Sequence, residues 1–288
     1  MSESSATQYD HIGQAYESMK KIPGAILERN NLRAVITPYL TLPDSQGASV
    51  LDLACGTGYY SRLLLQWAAP RCVVGIDISP TMVEAAERAA AELDEFKQGR
   101  LKFVVGDATK PLPAAVVTSS DEAEGPFDVV LGAWLLNYAP STQDMAGMFA
   151  NVASALRPGG HFVGITPHPA EDLDAFAAFH ATPAAQAEMR RFGVSIAYLD
   201  PPVASGEGYH TRITAHMQPV EISFENFHLR RHVYEDAARR GGMTGELKWE
   251  KVRLPRDEDE SRRDYGVGIE YWEGCEERPH FGIMVVEK

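Results

Sequence analysis

The stretch "VLDLACGTGYYS", residues 50–61, decides how this chain folds. An apolar run at 50–53 leads into Cys55-Gly56-Thr57-Gly58, and Tyr59 and Tyr60 then open an apolar helical pattern. Strand, glycine turn and helix start together seat a nucleotide: glycines let backbone N–H groups approach a ligand, and the helix N-terminus favours negative charge. A dinucleotide fold asks for a third glycine, in G-x-G-x-x-G, to cradle a pyrophosphate. Here Tyr59, Tyr60 and Ser61 follow Gly58, so that glycine is missing. Asp52 at the strand end repels a pyrophosphate but suits the cationic amino group of a ligand. The turn therefore leans away from NAD.

Working outward, strand-like runs alternate with helical patterns, which predicts a parallel sheet covered on both faces. The strands are read at 49–53, 72–76, 101–105, 127–131 and 161–165. Between the second and third, residues 81–93 follow Ser79-Pro80, an N-cap and a proline at the first helical position. "LRPGGHF" (156–162) reads as a helix end turning into the fifth strand, with Gly159 and Gly160 at positive φ. Beyond "GITPHP" the pattern changes. Residues 171–192 read as helix broken at Pro183, 209–217 and 221–229 as paired strands joined near Gln218-Pro219, and 246–254 and 280–288 as two last strands. The charged stretches 119–125 and 257–263 read as solvated loops.

Composition narrows the function. The 288 residues are 44% hydrophobic, enough for a full core. No apolar run is long enough to span a membrane. The N-terminal "MSESSATQYD" does not read as a secretory signal, and three scattered cysteines make neither a disulfide framework nor a zinc site, so a cytoplasmic setting is expected. The net charge of −13, from 27 Lys plus Arg against 40 Asp plus Glu, disfavours nucleic acid and anionic membrane as partners. A small molecule is the default substrate, and no metal is expected.

Two further carboxylates fall in register with the first turn. Asp77, in "VVGIDIS" (73–79), ends the second strand, where it is placed to accept from two ribose hydroxyls. Ile78 and Met82 offer apolar surface to an adenine face. Asp107, in "VVGDA" (104–108), ends the third strand and is placed to accept from an adenine amino group, with Ala108 leaving room for the ring. Each carboxylate alone is also a strand-terminating or helix-capping Asp. Three at successive strand ends point to one shared ligand, because open α/β sheets bind at the carboxyl ends of their strands.

Taken together, "DLACGTG", "GIDIS", "GDA", "FDVVLGAWLLNYAP" and "LRPGGHFVGITP" resemble the successive motifs of class I S-adenosylmethionine-dependent methyltransferases. The resemblance covers residues 50–168 closely. More narrowly, "YDHIGQAY", "LLNYAP" and "FENFHLRRHVYEDA" are similar to the small-molecule type labelled toxoflavin-synthase-like. One departure stands in the first loop, where Ala54 replaces the family's first glycine.

The resemblance implies an α/β, Rossmann-like, seven-stranded sheet with its last strand antiparallel and helices on both faces. It also implies one domain over 1–288: an N-terminal helical cap (1–45), a cofactor-binding core (46–168), a lid insertion carrying the substrate pocket (169–228) and a C-terminal completion of the sheet (229–288). The implied reaction moves a methyl group from S-adenosylmethionine to a small aromatic or heterocyclic metabolite, leaving S-adenosylhomocysteine. The implied cofactor site comprises Tyr16, Arg29, Asp52, Ala54, Cys55, Gly56, Gly58, Asp77, Ile78, Met82, Asp107, Ala108 and Ala133. The implied acceptor side comprises Tyr9, Trp134, Asn137, Tyr138 and His168.

Several of these residues carry two readings. Tyr9 and Tyr16 either cap the donor or pack as amphipathic helix residues. Arg29 pairs with the donor's carboxylate or lies on the helix surface. Tyr138 faces the acceptor, as a second catalytic candidate beside His168, or belongs to the core. His168 is a general base, since an imidazole near pKa 6.5 suits a hydroxyl or ring N–H acceptor, or a structural loop residue. "DPPV" (200–203) is similar to a motif of amino-group methyltransferases but falls outside the slot after the fourth strand, so it reads as a rigid turn. Two other functions stay open: a scaffold that binds the donor without transferring methyl, as a regulator or a rearrangement catalyst, and an NAD(P)-dependent oxidoreductase.

Overall fold

The computed structural model describes residues 15–42, 47–113, 116, 127–216 and 221–288. Five strands run parallel: β1 (Ser49–Leu53), β2 (Cys72–Asp77), β3 (Leu101–Val105), β4 (Phe127–Ala133) and β5 (Leu156–Pro167). After a three-stranded insertion, β6 (Val194–Tyr198), β7 (Gly208–Ala215) and β8 (Ile222–Leu229), the chain returns to the main sheet as β9 (Leu247–Glu250) and β10 (Phe281–Glu287). The order is β3-β2-β1-β4-β5-β10-β9, with β10 antiparallel to both of its neighbours. This is the expected seven-stranded Rossmann-like sheet with an antiparallel last strand.

Every residue of β1 is buried because the strand is covered on both sides. Leu51 and Leu53 enter one core layer and Val50 the other, as the twofold period of a strand requires. The helices sort accordingly. Helices α1 (Ala15–Met19) and α2 (Pro23–Leu40) come first, and α2 packs on the sheet through Leu27, Leu32, Ile36 and Leu40 rather than standing off it as a cap. With α2 on one face lie α3 (Tyr59–Trp67) and α4 (Pro80–Ala90), followed by the short α5 (Asp94–Lys97). On the other face lies α6 (Thr142–Ala155). The insertion adds α7 (Leu173–His180) and α8 (Pro183–Arg191), and then α9 (Arg231–Arg240) packs on α6 and α10 (Glu258–Tyr265) near α2. Ser79 caps α4 by accepting the Met82 N–H at 3.2 Å, with Pro80 at its start.

Three expectations are corrected. The insertion sheet has three strands, not two, because β6 pairs antiparallel with β7 along Val194–Tyr198. Residues 258–265 are helix rather than loop, started by Asp257, whose Oδ1 accepts the Glu260 N–H at 2.9 Å. In "LRPGG" only Gly159 takes positive φ (74°). Gly160 is required for space instead: a Cβ there would stand 2.9 Å from the Arg157 carbonyl oxygen and 3.0 Å from that of Asp128. The joint near Gln218-Pro219 lies outside the described residues, as does the charged stretch 119–125.

The starts of the strands are tied together by Asp128. Its Oδ2 accepts the Ser49 N–H at 2.7 Å and the Ser49 hydroxyl at 2.8 Å, and its Oδ1 accepts from Arg157 Nε. Burial opposes its charge, but these donors hold its carboxyl below the ordinary carboxylate range. Asp128→Ala strands both Ser49 donors and is expected to lower the unfolding free energy by about 2 kcal/mol near neutral pH. A folded-state pKa depressed below 3.8 stabilises above that value, so the deficit should shrink as acid protonates the wild-type carboxylate. Urea unfolding at pH 7 and pH 3 checks both statements.

Candidate functional site

Strand β1 ends at Leu53, and the chain then bends with Ala54, Gly56 and Gly58 all at positive φ (58°, 55° and 70°). The two glycines answer different needs. A Cβ on Gly58 would fall 2.6 Å from the Phe103 ring, so this glycine lets the turn sit on β3. A Cβ on Gly56 would meet nothing within 4 Å, so its bare side faces open space from which a ligand can approach the backbone. Ala54 holds the left-handed conformation with a side chain, at a strain on the order of 1 kcal/mol. Cys55 is buried, and its N–H donates to the Ile76 carbonyl at 2.9 Å.

Asp77 locks this turn to β2. One carboxylate oxygen accepts the Gly56 N–H at 2.8 Å and the other the Ser79 N–H at 2.9 Å. Below it lies Asp52, 1% exposed, accepting the Ser61 hydroxyl at 2.6 Å. Burial pushes the Asp52 carboxyl up to about 7, the Ser61 bond opposing and the Asp77 charge adding to the rise. Asp107 accepts from the Thr109 N–H (2.9 Å), the Thr109 hydroxyl (2.6 Å) and Lys110 Nζ (2.9 Å). Burial opposes its charge, yet these bonds hold it below the ordinary range. Ile78 is 52% exposed at the mouth of this row, whereas Met82 is buried beneath it. The Ala108 carbonyl accepts from Asn151 Nδ2 at 2.7 Å.

At the same end of the sheet opens a cavity of about 150 Å³, lined by none of the residues of the row. Its walls come from α1 and α2, from Trp134, Asn137 and Tyr138 after β4, from the insertion, and from residues 272–280. Phe176, Phe179, Met189, Phe192, Ile196 and Phe224 make it largely apolar. Trp134 stands at φ 64°, and its Nε1 donates to Glu28 Oε2 at 3.1 Å. Glu28 is buried on α2, and its other oxygen accepts from His280 Nε2 at 2.8 Å. Burial works against the Glu28 charge, but His280, the Lys20 ammonium and Trp134 hold the carboxyl below its usual value.

The other sequence candidates divide by position. Asn137 and Tyr138 line the cavity, and burial pushes the Tyr138 phenol well above its ordinary value. Arg29 lies near the turn, its Nη1 donating to the Tyr59 hydroxyl at 3.4 Å. Ala133 is half-buried at the end of β4. His168 is not among the residues lining the cavity. Its ring stacks on Phe176 with centroids 5.1 Å apart, and its Nδ1 is buried without a partner. Burial first, then His180 and His280, push its pKa down to about 4, which makes it a weak base at neutral pH. Tyr9 and the side chain of Tyr16 lie outside the described residues. "DPPV" occupies the loop between β6 and β7.

Sequence reasoning missed Glu28, His280 and His228. Glu28 and His280 stand 252 positions apart and meet because antiparallel β10 starts at the end of the sheet where the parallel strands finish. His228, 1% exposed, accepts the Tyr198 hydroxyl on Nδ1 (2.9 Å) and donates from Nε2 to the His168 carbonyl (2.7 Å). Burial pushes its pKa down to about 4, so it is neutral. Alternating polar residues in a strand gave no sign of that role. Among the described residues no cluster of His, Cys, Asp or Glu is arranged to hold a metal, and no helix is long and apolar enough to cross a membrane.

Comparison with known proteins follows this geometry. Residues 50–160 match a methyltransferase domain family. They carry β1–β4, Asp52, Asp77, Asp107 and Asn137. Over 129 residues the chain is 36% identical to the demethylmenaquinone methyltransferase of Lactococcus lactis, a match covering 44% of this chain and 45% of that protein. Over 165 residues it is 30% identical to mRNA cap guanine-N(7) methyltransferase 1 of Arabidopsis thaliana, covering 54% and 42%. The matches thus span less than half the length of these curated relatives. The fold extends further: an S-adenosylmethionine-dependent methyltransferase from Mesorhizobium loti superposes with a TM-score of 0.54 at 24% identity, covering 91% of this chain and 98% of that one. The chain has the Rossmann-like methyltransferase fold.

The two glycines of the turn should separate under substitution. Gly58→Ala combines left-handed strain with a clash against Phe103 and is expected to cost about 3 kcal/mol of stability. Gly56→Ala adds strain alone, about 1 kcal/mol. Chemical denaturation of the two variants gives the comparison.

Proposed function

We propose that this chain transfers the methyl group of S-adenosylmethionine to a small, planar, largely apolar acceptor, leaving S-adenosylhomocysteine. The observation that carries the reading is that the strand-end row, with its bare Gly56 and three carboxylates, shares the carboxyl end of one sheet with an apolar cavity walled by the insertion and by Trp134, which follows β4, the neighbour of β1. When bound, S-adenosylmethionine supplies an electrophilic methyl group on a sulfonium sulfur. The protein's part is placement, which contributes on the order of 7–11 kcal/mol when donor and acceptor are held in near-attack geometry.

The residues fit that donor. Asp77 ends β2 where the two ribose hydroxyls would reach its carboxylate. Ile78 offers the adenine an apolar face, with the buried Met82 packed behind it rather than presented to the ring, and Asp107 with Ala108 faces its amino edge. Asp52, uncharged below about pH 7, gains a reason to ionise when an ammonium group is brought near it. Ala54, Cys55 and Gly56 line the turn that the methionine portion crosses, with Ala133 and Trp134 opposite and Arg29 for the carboxylate.

The acceptor reading rests on the enclosed apolar walls and the charge of −13, which together disfavour a polyanion even though cap methyltransferases are among the relatives. The small-molecule type, similar to toxoflavin-synthase-like enzymes, fits that cavity. For a proton leaving the acceptor, the Glu28–His280 pair is better placed than His168. His280 lines the cavity, which His168 does not, and its Nε2 is held by Glu28.

Calorimetry with S-adenosylmethionine and NADH tests the donor; preference for NADH overturns the reading. Asp52 adds a signature. Its raised folded-state pKa stabilises the unliganded chain at low pH and ceases to do so as pH rises toward 7. Affinity for S-adenosylmethionine should therefore rise between pH 5.5 and 7.5, by up to about tenfold per unit, and Asp52→Asn should abolish that slope.

Incubation with methyl-labelled donor and a metabolite extract should move label into the small-molecule fraction. His280→Ala should cut that transfer by about tenfold or more while donor affinity holds. His168→Ala should retain most of it. The opposite ranking would return the proton-accepting role to His168.

A further inference from the structure

Asn137 is the wall residue whose chemistry the fold leaves unanswered. It sits on the 3₁₀ turn Leu136–Tyr138, is 1% exposed, and lines the cavity, yet neither Oδ1 nor Nδ2 has a hydrogen-bond partner. Buried polar atoms are paired in the great majority of cases, so an orphaned amide at a cavity wall marks a group awaiting a ligand. Its polar neighbours are already engaged. His228 uses both ring nitrogens, and the Asn226 side-chain oxygen accepts from Thr211. Phe176 and Phe224 supply flat apolar surface on the same walls.

A primary amide shows a donor and an acceptor side by side. Its full complement is an acceptor and a donor side by side on the ligand, as in a lactam (–NH–CO–) or an amidine (–NH–C=N–). Exchanging the amide's O and N reverses the order but keeps the pattern. A carboxylate has acceptors only and leaves Nδ2 paired but Oδ1 facing negative charge. A phenol meets one atom, and a hydrocarbon neither.

We propose that Asn137 selects the methyl acceptor, and that the acceptor is a neutral planar heterocycle with a lactam or amidine edge. The assignment rests on the proposed function and narrows it to a substrate class.

The test uses quinolin-2(1H)-one and its 1-methyl analogue, titrated into the full chain saturated with S-adenosylhomocysteine, with quenching of Trp134 and Trp272 at the cavity wall as the signal. The unmethylated lactam should bind at least about tenfold more tightly, because a buried polar group rejects a ligand that leaves it unpaired. In Asn137→Leu the preference should collapse to near unity while S-adenosylhomocysteine affinity holds. The unliganded variant should melt no lower than wild type, since removing an orphaned amide removes a penalty. Equal affinities, no saturable lactam binding, preference retained in Asn137→Leu, or a large drop in its melting temperature would each overturn the assignment. The preference in the wild-type chain decides the matter even without the variant. Failure to bind S-adenosylhomocysteine at all would instead count against the proposed function.

Discussion

Asp77 accepts one backbone N–H from the turn after β1 and another from the start of α4, and so holds two neighbouring strand ends at one spacing. The turn it grips has three left-handed residues in five, one of them an alanine, and relaxes without an anchor of this kind. The same carboxylate stands above Asp52 and adds to the field that keeps Asp52 from ionising. A single side chain therefore sets the backbone geometry of the site and part of its electrostatics. The rest of the row, Asp107 included, is carried by strands that pair in parallel register on either side of β2.

The parallel core was legible because its chemistry is local. Strands covered on both faces show as short apolar runs, and Asp52, Asp77 and Asp107 stand where those runs end. The insertion was less so. In β6 four residues are half-buried and one is exposed, so Val194–Tyr198, just past the helix end at Gly193, lacks the buried-and-exposed alternation that marks a strand. In 258–265 only Ser261 is buried, and the helix is carried by its Asp257 cap and by pairs such as Glu258–Arg262 and Arg256–Glu260. The cap signal, Asp257 three residues before Glu260, was present but submerged in charge.

The same division holds at the site. Residues near a motif, such as Trp134 and Asn137, were placed by proximity to β4. Glu28 and His280 were not, because no spacing in a sequence announces that the first residues of an antiparallel strand return to the carboxyl ends of parallel ones. His168 shows the converse. Its position after β5 is the expected one, but its ring turns into the packing of Phe176 and its carbonyl, not its imidazole, does the work by orienting His228. Position along the chain located the neighbourhood, and side-chain direction decided the role.

Glu28 has one further consequence. Moving α2 away from the sheet would break its bonds to Trp134 and His280 and leave a carboxylate with little solvent, a strongly unfavourable change. The opposite wall is fastened more lightly: Arg278 lies 4.0 Å from the Phe179 ring centroid, and Arg191 donates to the carbonyls of Glu270 and Glu273 at the surface. Water replaces such exposed ties readily. The two walls are thus secured by different chemistry: the α2 side by bonds to a buried carboxylate, the α7 and α8 side by contacts that water also reaches.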